Sequence, residues 1–182
     1  MNEILIALAK ASILIALHQP AEFNLTQALA QYPQLEEKGA TFVTLTKGKS
    51  LRGCIGSLEA WRPLYKDIIA NARSAALEDS RFPPLKAAEL PQIKVEVSIL
   101  SKPKEVRYID AEDLKKKIRP GIDGVILKYW FHRATYLPQV WEDLPAFETF
   151  FGSLCEKADL DISCLKDHPT IKVYQVTKYK EE

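Results

Sequence analysis

Between residues 93 and 99 the chain reads Ile-Lys-Val-Glu-Val-Ser-Ile, with an apolar residue at every second place. Only a strand sends alternate side chains to opposite faces. The segment therefore predicts a half-buried strand, with Val95 and Val97 turned inward and Glu96 and Ser98 turned outward. Such a strand needs neighbours to pair with and an apolar layer to cover one face. The neighbours lie upstream. Thr41-Phe42-Val43-Thr44-Leu45-Thr46 is rich in β-branched residues, Lys47-Gly48-Lys49-Ser50 reads as a hairpin turn, and Leu51 to Leu58 follows as a second strand. The cover comes from helices. Residues 3–18 are strongly apolar and are stopped by Pro20, and a helix running from Pro63 to about Asp79 places Leu64, Ile68, Ala72 and Ala75 on one stripe.

The same reading continues to the C-terminal end. Short helices are expected around Leu25–Gln31 and over 110–118. Val125–Phe131 and Ala134–Leu137 are expected to form a hairpin across His132-Arg133. A helix from about Pro145 to Ala158 and a final strand from Ile171 to Tyr179 complete the chain. Mixed strands and helices with short hairpin connections predict an α+β fold with mainly antiparallel pairing. At 182 residues the chain is expected to be a single domain over 1–182, with room for two intertwined subdomains.

Charge and cysteine usage narrow the function classes. There are 25 Lys plus Arg against 24 Asp plus Glu, a net charge of +1. That balance lacks the excess cation that phosphate neutralisation recruits, so nucleic acid is not the expected partner. The apolar stretch from Ile4 to Leu17 follows Glu3 rather than a basic region, is interrupted by Lys10, and falls short of the roughly 20 residues a membrane span needs. It reads as a buried helix, and the expected location is cytoplasmic, away from membranes. Cys54, Cys155 and Cys164 are odd in number and fit no zinc spacing. Free thiols in a reducing compartment are expected, with Cys155 as core and with no metal, disulfide or cofactor.

One segment carries more information than the rest. Leu51-Arg52-Gly53-Cys54-Ile55-Gly56-Ser57-Leu58 resembles the hallmark of the AMMECR family. Phe42-Val43-Thr44-Leu45 precedes it as in that family. Asn71-Ala72, Glu78-Asp79-Ser80-Arg81-Phe82-Pro83-Pro84-Leu85, Glu89-Leu90, Gly121-Ile122-Asp123-Gly124, Leu137-Pro138-Gln139-Val140-Trp141 and Leu154-Cys155-Glu156-Lys157-Ala158 follow in the family's order. The resemblance implies a mixed fold with a barrel-like antiparallel sheet flanked by helices and a smaller subdomain beside it. It also implies an association with a Memo-type protein and a radical S-adenosylmethionine (radical-SAM) enzyme, beside which prokaryotic members are encoded. The chain would then be the AMMECR component of an AmmeMemoRadiSam modification system. The resemblance assigns no reaction to it.

The residues themselves suggest where such a component would act. In an alternating strand Arg52, Cys54 and Gly56 share one face, and Leu51, Gly53, Ile55 and Ser57 the other. A thiol, an arginine and a residue without a side chain on one face could form a pocket for an anion or a carbonyl. Cys54 is the candidate nucleophile. Arg52, Gly53, Cys54, Ile55, Gly56, Glu96 and Gln139 are the candidate substrate- or partner-binding set, with Asp79 and Arg81 in support. Glu96 is the expected partner of Arg52. The plainer reading makes Cys54 a small buried hydrophobe and the glycines a means of close packing. A thiol nucleophile also needs a base, and His18, His132 and His168 are all distant in sequence. Two functions remain open: a component whose substrate site is this strand, or a noncatalytic adaptor presenting the same surface to a partner.

Overall fold

The central strand is β1, Lys38–Lys47, which pairs on both sides from Phe42 to Lys47. The computed structural model describes residues 1–181. β1 turns at Gly48, where φ is +61°, into β2, Ser50–Gly56, and the two pair antiparallel. Glycine adopts that backbone without steric cost. On its other side β1 pairs antiparallel with β4, Ile93–Leu100, with Val43 opposite Val97 and Thr44 opposite Glu96. The two-residue β3, Arg62–Pro63, joins the start of β1, and β9, Val176–Lys180, completes the order β2-β1-β4-β9.

The alternation predicted for residues 93–99 is what builds the core of this sheet. Val43, Leu45, Val95 and Val97 are all buried, as are Leu5, Leu8 and Ala9 of α1 (Asn2–Ala16) and Ile68, Ala72 and Ala75 of α3 (Leu64–Leu77). Burying each large aliphatic side chain stabilises the fold by about 1.5–3 kcal/mol. The apolar N-terminal stretch is thus a core helix. Among the described residues no helix is long and apolar enough to cross a membrane. The short α2, Leu25–Gln31, begins where the Asn24 side chain accepts from the Gln27 N–H at 3.0 Å.

The chain divides into two compact units, Met1–Leu100 with the residues from Thr177 on, and Ser101–Val176. The second unit has its own antiparallel sheet, in the order β5-β8-β6-β7: Lys104–Val106, Thr170–Tyr174, Gly124–Tyr129 and His132–Tyr136. Its helices are α4 (Ala111–Lys117, capped by Asp110), α5 (Val140–Asp143) and α6 (Phe147–Lys157). Leu127, Phe150, Phe151, Leu154 and Ile171 fill the core between sheet and helices. Trp141 stacks on Phe150 at 3.6 Å and donates through Nε1 to the Asp123 carbonyl at 2.9 Å. The architecture is α+β, with two antiparallel sheets.

Three expectations are corrected. Ile171–Tyr179 is not one strand. It breaks at Gln175, with β8 in the second unit's sheet and β9 in the first. The hairpin formed by β6 and β7 turns at Trp130-Phe131, and His132 and Arg133 already belong to β7. The third correction concerns sulfur: Cys155 and Cys164 form a disulfide, leaving Cys54 as the free thiol. A short 3-10 turn, Cys164–Asp167, returns the chain to the end of α6 and brings the two Cα atoms to 5.9 Å, within bridging range. The bridge closes a sequence separation of 9. Reduction is expected to cost about 2.5 kcal/mol by loop entropy. Urea unfolding with and without a phosphine reductant measures it, and coincident curves would refute it.

Candidate functional site

β2 is an edge strand, so half of its backbone groups have no strand to pair with. Cys54 stands opposite Thr44 on β1. Its own N–H and C=O point the other way, and the segment after α3 meets them. The Asp79 carboxylate accepts from the Cys54 N–H at 2.8 Å, and Arg81 Nη2 donates to the Cys54 carbonyl at 3.2 Å. Arg81 also holds Asp79 through Nε at 2.9 Å and Nη2 at 2.7 Å. This pair closes the edge of β2 as a further strand would. The Arg81 guanidinium holds the buried Asp79 carboxyl well below the usual carboxylate range against the opposing effect of burial, and Asp79 in turn raises the Arg81 pKa.

The two glycines of the segment are explained by close approach, each on a different face. A Cβ on Gly53 would lie 2.1 Å from the Ala75 carbonyl oxygen, so its absence lets the backbone of α3 lie directly on β2. A Cβ on Gly56 would lie 2.2 Å from the Phe42 ring. The space expected beside Cys54 is therefore filled by Phe42. Ile55 joins the core under α3, on the same side as Gly53.

Arg52 departs from the expected pattern. A bulge interrupts the ladder: Leu45 pairs with Gly53, but Thr46 pairs with Leu51, so Arg52 is the extra residue. Leu51 is exposed. The Arg52 guanidinium is buried and engages Glu89 through both oxygens, Nε to Oε1 at 3.1 Å and Nη2 to Oε2 at 3.0 Å. Glu89, rather than Glu96, is its carboxylate. That fork holds the Glu89 carboxyl down at about 2, helped by the Lys86 N–H. Glu96 is committed elsewhere, to Lys180 at 3.1 Å and to the Ser98 hydroxyl at 3.3 Å. Gln139 belongs to the second unit, exposed in the turn that opens α5.

What the sheet brings together is a row across three strands, Cys54 of β2, Thr44 of β1 and Glu96 of β4. The Cys54 thiol and the Thr44 hydroxyl share a hydrogen bond at 3.3 Å. Cys54, Thr44 and Glu96 are all half-buried. Both nearby guanidiniums are engaged by carboxylates of their own, Arg52 by Glu89 and Arg81 by Asp79. Among the described residues no group of three or more His, Cys, Asp and Glu side chains is arranged to hold a metal ion.

Beneath the row, on the helix side, sits a polar knot that the sequence analysis missed. Asp67 of α3 is fully buried and accepts from the Thr41 N–H and hydroxyl, both at 2.8 Å, from Ser57 Oγ at 2.7 Å, Arg62 Nε at 2.7 Å and Asn71 Nδ2 at 2.9 Å. The signal for it was available: Asp67 and Asn71 are polar residues at i and i+4 on the apolar stripe of a helix. Thr44 and Phe42 were also missed as site residues.

Known proteins resemble this chain over most or all of its length. The AMMECR1 family model matches residues 6–179. Protein SSO0193 of Saccharolobus solfataricus is 39% identical over an alignment that covers 100% of this chain and 82% of that one. Protein LS215_2104 of Saccharolobus islandicus is 42% identical, covering 81% of this chain and 69% of its own. The crystal structure of uncharacterized protein PH0010 from Pyrococcus horikoshii superposes with a TM-score of 0.80 at 32% identity, covering 100% of this chain and 91% of that one. The chain belongs to the AMMECR1 family.

Proposed function

We propose that this chain is a cytoplasmic binding component of a modification system built with a Memo-type protein and a radical-SAM enzyme, and that it holds its partner or substrate on the Cys54–Thr44–Glu96 row. One observation carries the reading. The thiol is bonded to a hydroxyl, and the charges around it are already paired, Arg81 with Asp79 and Arg52 with Glu89. A nucleophilic cysteine needs a base or a free cation beside it. A binding row needs fixed donors and acceptors on a rigid strand, and the Asp79–Arg81 closure of the β2 edge provides that rigidity. The thiol, the hydroxyl and the carboxylate fit a polar backbone segment or a small polar group.

The experiment is a calorimetric titration with the two candidate partner proteins. Thr44→Val removes one hydroxyl at nearly constant volume, and Glu96→Gln removes one charge. Each is expected to weaken binding by about tenfold, the effect of one lost hydrogen bond to a polar or charged group, with thermal unfolding little changed. Unaltered affinity in both variants would defeat the assignment. Cys54→Ser separates the alternatives: a binding role predicts retained modification in the reconstituted system, and a nucleophilic role predicts its complete loss with partner binding intact.

A further inference from the structure

In the second unit a pocket of about 390 Å³ opens between α6, the start of α4 and the segment that returns to the end of α6. That volume falls in the range of small-molecule sites, about 300–1,000 Å³. Phe147, Phe151 and Leu165 form an apolar lining, and Ile162 lines it too although it is 63% exposed. Two features hold the walls in place. Gly152 lets Ile162 lie against α6, since a Cβ there would come within 2.7 Å of it. Cys155 continues the stripe of Phe147 and Phe151 at every fourth residue of α6, and Cys164 sits between the lining residues Ser163 and Leu165. The disulfide therefore ties one wall to the other. A preformed hollow spares an entering ligand the cost of ordering its walls.

The charged and polar groups of the lining decide what such a hollow can take. Its two carboxylates are engaged: Asp110 accepts from the Asp113 N–H at 2.8 Å as the cap of α4, and Glu148 pairs with Lys115. Lys166 is the lining cation, and among the described residues it makes no ion pair. Asp161, in the same returning segment, is occupied by the Ser163 N–H at 2.8 Å and the Ser163 hydroxyl at 2.5 Å. His168 also lines the pocket, stacked on Tyr108 with 5.6 Å between ring centres. Among the described residues its ring nitrogens make no hydrogen bond. The first turn of α6 contributes Phe147 and Glu148, and Ala146 offers that turn no side-chain cap. The positive end of the helix dipole thus adds to the Lys166 charge.

We infer that this pocket binds a small amphiphilic anion, an aromatic or short acyl body that carries a carboxylate. The body displaces water from Phe147, Phe151, Ile162 and Leu165. The carboxylate accepts from the Lys166 ammonium and a His168 N–H. A cationic ligand would meet Lys166 with both lining carboxylates already taken. A neutral ligand would leave the ammonium unused. The site lies wholly within the second unit, whereas Cys54, Thr44 and Glu96 belong to the first, so it is a second binding function and not an extension of the row.

Indole-3-acetate, indole and tryptamine test this, because they share one ring and carry a negative charge, no charge and a positive charge. Each is titrated to about 10 mM into the ¹⁵N-labelled, oxidised full chain, and amide shifts are followed by NMR. Indole-3-acetate is expected to bind with a Kd on the order of 1 mM, ordinary for a ligand of that size. The largest shifts should fall on Phe151, Gly152, Ile162 and Lys166. Affinity should follow the order indole-3-acetate, indole, tryptamine. Lys166→Glu should weaken indole-3-acetate at least about fivefold, the effect of one exposed ion pair, and should strengthen tryptamine. Ala111→Phe, which fills the pocket from the α4 side, should abolish binding of all three with the melting temperature unchanged. Should that variant fold poorly, Ile162→Trp fills the pocket from an exposed wall position. Absence of saturable shifts with indole-3-acetate overturns the inference, as do shifts confined to other residues. Equal affinities for the three probes, or tighter binding of tryptamine, overturn the assignment of an anion.

Discussion

Arg52→Ala is expected to destabilise the protein by about 3 kcal/mol, because it strands Glu89 without its forked partner in a largely buried position. The side chains of Arg52 and Glu89 are only 11% and 21% exposed, so solvent screens the pair weakly. Lys47, 3.6 Å from the Glu89 carboxylate, remains as a weaker partner and keeps the loss at the low end of the range for broken buried pairs. The pair also dictates a pH dependence. Glu89 is held at about 2 against an ordinary value of 4.5. A carboxyl depressed in the folded state stabilises fully above its unfolded pKa. The contribution is therefore complete above pH about 5 and is lost as the pH falls from there toward about 2. Urea midpoints of the parent protein and of Arg52→Ala, measured at neutral pH and near pH 3, check both statements. Parent and variant should converge in acid. A loss below about 1 kcal/mol at neutral pH, the value for exposed pairs, would show that Arg52 is free to serve a ligand.

Asp67→Ala should cost more, about 3–5 kcal/mol, since one fully buried carboxylate satisfies five donors. Asp67→Asn keeps the shape but turns an amide N–H₂ toward groups that also donate, so most of the loss should persist. Chemical denaturation gives both values, and a cost near zero for Asp67→Asn would mean that packing rather than acceptor count holds the knot. The consequence reaches the site. Thr41 follows Ala40 into β1, and Ser57 lies just beyond β2, so Asp67 fixes both strands that carry Thr44 and Cys54. Loosening it should reduce binding at the row even with every row residue intact.

Much of the fold was legible because it depends on local period. β4 was readable from strict alternation, the β1–β2 hairpin from β-branched residues around a glycine turn, and α1 and α3 from their apolar stripes. The failures came where long-range pairing decides. The run from Ile171 to Tyr179 gives no local reason to break at Gln175, because the division is set by which sheet each half joins. Trp130 and Phe131 carry strong strand propensity and hid the turn. Arg52 had carboxylates on two segments to choose from, and a one-residue bulge, invisible in the pattern, directed it to Glu89. The disulfide was missed because spacing alone does not fix connectivity; the return of the chain after α6 does. The chemistry-bearing segment itself was found by its motif, and its two glycines by their cost in a strand, but Phe42 as the occupant of the space beside Cys54 required the register.

The position of β9 has a consequence for how the protein is made. The first unit closes its sheet with residues that follow the whole of the second unit in sequence. On the ribosome, β4 emerges and waits with one long edge uncovered while the next 76 residues, Ser101–Val176, are synthesised. An open edge of alternating valines is a template for pairing with other nascent chains. Folding of the second unit does not shorten that interval, because β8, the strand between β5 and β6, ends at Tyr174, just before β9 begins. Synthesis rate through this insert then sets how long that edge stays open.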